Sequence, residues 1–265
     1  MKISSYELNN IETFKQDQDK FCSLLLLSLY PESLIYSDMK TYIVGREYPG
    51  YTTWIWTIDN IENDKLNELI NVLKDNYIDI NKNNFIGKKE LYNKISNKMK
   101  VNDYFEEGFL KCTKITPFEN SNVTFIKANY GDKTILAKYW ISYCEEIFNR
   151  KIDFNDSLLE VEEWLEDDKF YVLKDSNNKI LTMAKYKEVN SIAEISHVYT
   201  PKDERGKGYC KTLIYYLTKM LLDNNIEPVL YTDYQYEASN KAYMKVGYTM
   251  EDNLVRFSIQ KDEVI

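Results

Sequence analysis

Ile195-Ser196-His197-Val198-Tyr199-Thr200-Pro201-Lys202-Asp203-Glu204-Arg205-Gly206-Lys207-Gly208-Tyr209 passes from an apolar strand through a short loop into a helix. The helix is predicted over Tyr209 to Leu222, with Leu213, Leu217, Met220 and Leu221 at i, i+4, i+7 and i+8. Gly206 and Gly208 leave the backbone bare where that helix begins. Exposed amides there, with the positive end of the helix dipole, suit an anion such as a pyrophosphate. Arg205 and Lys207 add charge at the same point. The loop is neither a Walker sequence nor a dinucleotide fingerprint, since GxxxxGK[ST] and the third glycine of GxGxxG are both missing. Taken alone, a glycine turn before a helix is more often only a turn.

The flanking sequence supplies an order of elements. Upstream, Ile135 to Phe148 and Leu158 to Leu165 read as helices. Phe170–Leu173 and Ile180–Tyr186 read as strands joined by Asp175-Ser176-Asn177-Asn178, and Ile192–Thr200 as the next strand. Downstream come a strand at Val229–Thr232 and a helix from Glu237 to Val246. A strand pair is expected over Gly247 to Gln260, turned at Glu251-Asp252-Asn253. The first half also mixes both periods. A helix is predicted from Glu12 to Tyr30, strands at Thr41–Gly45 and Tyr51–Ile58, and helices at Asn63–Lys74 and Leu91–Met99. Lys111–Thr116 and Val123–Ala128 read as closing strands. The chain is therefore expected to be α/β, divided into domains at 1–128 and 129–265.

Composition narrows the function. At 265 residues the chain has room for about two domains of ~150 residues each. With 34 basic against 42 acidic residues, its net charge of −8 argues against nucleic acid as a partner. Four dispersed cysteines and one histidine give no zinc pattern, so no metal is expected, and sparse thiols suit a reducing cytoplasm. The N-terminus carries no leader core, and Phe21 to Leu29 falls far short of the ~20 apolar residues needed to span a bilayer. Tyrosine occurs 23 times, so a tyrosine needs positional evidence before it means anything.

The loop Asp203-Glu204-Arg205-Gly206-Lys207-Gly208 is followed by Asn240-Lys241-Ala242-Tyr243-Met244-Lys245-Val246-Gly247-Tyr248. The pair of motifs resembles the GNAT N-acetyltransferase superfamily over residues 129 to 260. The family's acyl-CoA loop usually begins with Gln or Arg, where this chain has Asp203. The resemblance implies a mixed, largely antiparallel sheet with a splayed central parallel strand pair, preceded by a second, smaller α/β domain. It also admits a degenerate GNAT-like half in residues 1–128. Acetyl-CoA is the implied cosubstrate, and a primary amine of a small molecule or peptide the implied acceptor. Backbone groups of Val198 and Thr200 would pair with pantetheine, with the Val198 amide facing the thioester oxygen. Arg205, Gly206, Lys207, Gly208 and Tyr209 would take the pyrophosphate, and Asn240 the pantetheine arm. Tyr243, three residues further along the same helix face, would protonate the departing thiolate.

The base stays open between His197, Glu194 and a water chain. A regular strand puts residues 194 and 197 on opposite faces, although a β-bulge would shift that register by one. His197 is the only histidine and has the right intrinsic pKa, but a lone strand histidine is as often a packed one. Two charge clusters complete the reading. Asp153 to Asp168 holds eight acidic residues and no basic one, either a solvated helix face or an attractor for a cationic amine. Residues 81 to 100 hold six lysines against Glu90, read by default as a solvated helix. The alternative to the enzyme is a catalytically weak acyl-CoA-binding regulatory module. No membrane partner is expected, and a homodimer is compatible with this reading.

Overall fold

The computed structural model describes residues 1–78, 83–118 and 123–260. In chain order its regular elements are α1 (Cys22–Leu26), β1 (Leu34–Ser37), β2 (Tyr42–Arg46), β3 (Thr53–Thr57), α2 (Asn63–Asn76), β4 (Phe85–Lys88), α3 (Lys89–Ser96) and β5 (Val101–Lys111). These are followed by β6 (Thr124–Lys127), α4 (Lys133–Phe148), α5 (Phe154–Glu166), β7 (Phe170–Lys174), β8 (Ile180–Val189) and β9 (Ile192–Tyr199). The last are α6 (Tyr209–Asp223), β10 (Glu227–Asp233), α7 (Glu237–Val246) and β11 (Thr249–Ile259).

Two compact units emerge. The first comprises Met1–Phe109, Thr232–Gln235 and Glu251–Ile265; the second comprises Leu110–Tyr231 and Tyr236–Met250. Residues 110–128, grouped with the first half on sequence, thus cluster with the second unit. In the first unit the strand order is β1-β2-β3-β4-β11-β5, with β3 and β4 parallel and connected through α2. Leu66, Leu69, Ile70 and Leu73 form the buried stripe of α2, as their helical spacing predicts. They pack with Tyr42, Phe85 and Phe257 in that unit's core.

Three expectations fail in the first half of the chain and in β11. The long helix predicted over Glu12 to Tyr30 is broken into 3-10 turns at Glu12–Asp17 and Leu27–Leu29 around the short α1. Tertiary anchors override its helical pattern: Thr13 Oγ1 donates to the Lys40 carbonyl, and Trp56 Nε1 donates to Asp17 at 2.7 Å. No hairpin forms at Glu251-Asp252-Asn253, because β11 is one strand held in register against β4 from Leu254↔Lys88 to Phe257↔Phe85. The expected strand at Lys111–Thr116 ends at Lys111, having begun at Val101.

The second unit follows the predicted order closely. Its strands run β10-β9-β8-β7-β6, antiparallel except for the parallel pair β9/β10. Helix α6 connects β9 to β10 and packs Leu213, Ile214, Leu217 and Leu221 against Ala193 and Ile195 on one sheet face. On the other face, α4 and α5 bury Leu136, Trp140, Val161 and Leu165 with Tyr199. Gly247 ends α7 at φ +123°, and a Cβ there would lie 2.4 Å from the Lys114 carbonyl and 3.1 Å from Ile115 Cα. Backbone cannot yield as a side chain does. Gly247→Ala is therefore expected to cost about 3 kcal/mol in urea denaturation of the full chain; a change below ~1 kcal/mol would mean the turn relaxes freely.

Candidate active site

The site begins where two strands part. β9 and β10 pair from Glu227↔Ile192 to Leu230↔Ile195 and then stop, although β9 runs on to Tyr199 and β10 to Asp233. Beyond Ile195, β9 keeps its partner on the other side, with Ser196 opposite Lys185 and Tyr199 opposite Met183. The edge of β9 that carries Val198, and leads on to Thr200, is thus unpaired toward β10. It is a stretch of backbone available to an extended ligand. The Thr200 hydroxyl donates to Thr182 Oγ1 at 2.9 Å, which fixes the strand's end.

The same stretch contains a bulge. Three steps along β9, from Ser196 to Tyr199, oppose two steps along β8, from Lys185 to Met183. The extra residue is accommodated at His197, whose φ of 54° lies in the left-handed region. Ala193 and Ile195 face the α6 core, whereas Tyr199, of the same parity, faces α4 and α5. By alternation Glu194 and Ser196 share the α4/α5 face with His197, the one-residue shift that a regular strand would forbid. A left-handed conformation costs a non-glycine residue about 1–2 kcal/mol. His197→Gly is therefore expected to be more stable than His197→Ala by about 1 kcal/mol in thermal or urea unfolding. Equal stability would mean that the bulge is unstrained.

His197 is surrounded by rings that sequence reasoning did not associate with it. Trp140 and Trp164 lie 4.8 Å from the imidazole between centroids, and Tyr143 stacks on it at 5.9 Å with the planes 11° apart. Its Nδ1 is 2.9 Å from Ser196 Oγ. Burial among these rings, with Lys185 and Lys187 nearby, pushes its pKa well below the usual histidine value, so the ring is neutral at pH 7. Trp140 and Tyr143 stand at i, i+3 on α4, a spacing that marks one helix face and could have flagged the pair. Glu194 is half-buried, opposite Lys187 on β8 and Val229 on β10.

At the head of α6, Gly206 and Gly208 have φ of +77° and +81° with Lys207 between them. A Cβ at either glycine would meet nothing within 4 Å. This is a concave run of main-chain amides leading to the helix dipole's positive end at Tyr209, open toward space. The donor set fits a pyrophosphate. The two flanking cations are already engaged. Arg205 Nη2 pairs with Glu146 at 2.7 Å and its Nε donates to the Thr200 carbonyl at 2.9 Å, while Lys207 pairs with Glu204 at 2.8 Å. Glu146 also accepts from the Tyr199 hydroxyl, so Arg205 straps the loop to α4.

On α7, Asn240 and Tyr243 are buried on one face. Burial, and after it the proximity of Cys210 and Tyr143, pushes the Tyr243 pKa well above that of a free phenol. Tyr243 thus keeps its hydroxyl proton at pH 7, with Tyr143 lying near both it and His197. The lysine cluster is largely paired and the acidic one only in part. Glu162 accepts from Lys133 at 2.7 Å, Glu160 from Trp140 Nε1 at 2.7 Å, and Asp168 from Lys127. Lys88 pairs with Asp17 and Asp59, Lys89 with Glu106, and Lys94 with Glu90; Lys82 lies outside the described residues. Among the described residues no three His, Cys, Asp or Glu side chains cluster as metal ligands, and no helix is long and apolar enough to cross a membrane.

Comparisons with known proteins agree with this geometry. Searching the curated proteins finds no match. An acetyltransferase from the GNAT family of Colwellia psychrerythraea superposes with a TM-score of 0.62 at 12% identity, covering 98% of this chain and 99% of its own. A GCN5-related N-acetyltransferase from Kribbella flavida gives 0.61 at 9% identity, covering 93% and 96%. At these identities the likeness is one of fold. Residues 136–248 match the model of the Acetyltransferase (GNAT) family, a span that holds the bulged strand, the glycine nest and the buried tyrosine.

Proposed function

We propose that the second unit transfers an acetyl group from acetyl-CoA directly to a primary amine of a small molecule or peptide. The observation that carries this reading is the parting of β9 and β10 after Ile195↔Leu230, directly upstream of the glycine nest. An extended amide-bearing arm needs a free strand edge, and its diphosphate needs main-chain donors at a helix start. Both are provided within a dozen residues. Gly206, Gly208 and Tyr209 would hold the pyrophosphate through the backbone, with Arg205 and Lys207 bracing the loop. Val198 and Thr200 would pair with the pantetheine amides, and Asn240 would contact the same arm.

When bound, acetyl-CoA supplies an activated carbonyl and a thiolate leaving group. The amine lone pair forms the new C–N bond, and the C–S electron pair departs with sulfur. The Val198 amide would donate to the carbonyl oxygen as negative charge develops there. Tyr243 would give its proton to the departing thiolate. His197 would accept the proton from nitrogen, which becomes strongly acidic once bonded to the carbonyl carbon, so a weak base suffices. Glu194 shares that face of the bulged strand and is the second candidate.

The first unit repeats the order of three strands, helix, strand, helix, strand with its own parallel pair β3/β4. Its corresponding loop, Ile58-Asp59-Asn60-Ile61-Glu62, has two carboxylates and no glycine. This favours residues 1–128 as a degenerate GNAT-like half that takes no diphosphate, with 129–265 as the catalytic half. The four sparse, dispersed cysteines favour a cytoplasmic location. The test is to incubate the full chain with acetyl-CoA and a panel of amines while following thiol release. Turnover above hydrolysis with at least one amine is expected. CoA binding without turnover across the panel would favour the regulatory module instead.

A further inference from the structure

We infer that Ser196 sets the tautomer of His197: its hydroxyl accepts from Nδ1–H, so that the lone pair sits on Nε2 and faces the acceptor. This rests on the proposed acetyl transfer for its purpose, but not for its measurement. The bulge places two successive residues on one face of β9, which a regular strand cannot do, and so brings Ser196 Oγ to 2.9 Å from Nδ1. Trp140, Trp164 and Tyr143 pack around the imidazole. The ring's second nitrogen, Nε2, makes no hydrogen bond with a described residue, and His197 keeps part of its surface exposed.

A neutral imidazole has one N–H and one lone pair, and a serine hydroxyl can serve either. If Ser196 donated to Nδ1, the N–H would fall on Nε2, where no described residue accepts it. If Ser196 accepts, the N–H is satisfied and only a lone pair is left over. Orphaned N–H groups are rarer in folded proteins than under-used acceptors. The charges that act on the ring are those of Lys185 and Lys187 on β8, both positive, and the titratable group stacked on it from α4 is Tyr143. Two ammonium groups also disfavour a further proton on the imidazole. Ser196 is on this account a positioning residue, acting through His197.

The chain's single histidine makes the test direct, because ¹⁵N-histidine labelling of the full-length protein yields the signals of one imidazole without assignment. At pH 7 the wild type is expected to show a protonated Nδ1 and a pyridine-type Nε2. Ser196→Ala should move the population toward Nε2–H, the form preferred in free histidine, while Ser196→Thr should retain the wild-type pattern. In turnover, Ser196→Ala should lower kcat toward the His197→Ala level, within the about 10²-fold scale of general-base catalysis, and leave KM near wild type. A wild type already in the Nε2–H form, or an unchanged tautomer in Ser196→Ala, overturns the inference. An unchanged kcat in His197→Ala would instead remove the base role and leave the tautomer assignment standing.

Discussion

Gly208→Asp is expected to abolish acetyl-CoA binding by the full chain. The substitution acts in two ways. Gly208 stands at φ +81°, so any side chain strains the loop, and the space above it is open, so the new carboxylate would project where we propose that the pyrophosphate binds. Like charges brought together in a binding site cost several kcal/mol, which is on the order of 10²–10³-fold in Kd at ~1.4 kcal/mol per tenfold. Gly50 provides the control. It has a similar φ of +86°, also with nothing within 4 Å, and lies in the first unit. Gly50→Asp should carry a similar backbone penalty in a melting experiment yet leave calorimetric CoA affinity unchanged. Unchanged affinity in Gly208→Asp would move the diphosphate site elsewhere.

Tyr243→Phe should lower kcat by about 10²–10⁴-fold, the usual range for loss of a general acid, with CoA affinity near wild type. The ring is buried beside Tyr248 with centroids 6.2 Å apart, and phenylalanine preserves that packing. Stability should therefore change little, which separates proton donation from a structural role. The raised pKa keeps the hydroxyl protonated across the physiological range, so no activity loss from tyrosine ionisation is expected up to pH 9. A variant with full kcat on a good acceptor would return Tyr243 to the core.

Much of the second unit was legible because its local signals agree with its tertiary structure. The apolar stripe of α6, the Asp175–Asn178 turn and the glycine pair each act within a few residues, and the predicted boundaries there are nearly those observed. The bulge was legible only as a condition, since nothing in Ser196-His197-Val198 demands a left-handed histidine; the aromatic packing from α4 and α5 holds it there. The cage itself went unread because its members lie 33 to 57 positions from His197 in the sequence. Arg205 was read as a phosphate contact from its charge and from the family resemblance; its pairing with Glu146, 59 residues away, has no local signal in the sequence. The first half was read least well. Its 3-10 turns follow anchors such as Trp56–Asp17, and β11 straightens a sequence that locally favours a turn.

The course of β11 bears on how the molecule is made. A ribosome delivers the chain from the N-terminus, and most multidomain proteins fold their first domain while the second is still being synthesised. Here β4 waits for Leu254 to Phe257, which emerge more than 160 residues after it. Until they arrive, the nascent first unit exposes the edge of a strand containing Phe85 and Ile86, a template for pairing with a neighbouring chain. A release of residues 1–128 alone would make that exposure permanent. Premature termination or C-terminal proteolysis of this protein should thus yield aggregates of its N-terminal half, even though the cut falls in the other half of the sequence.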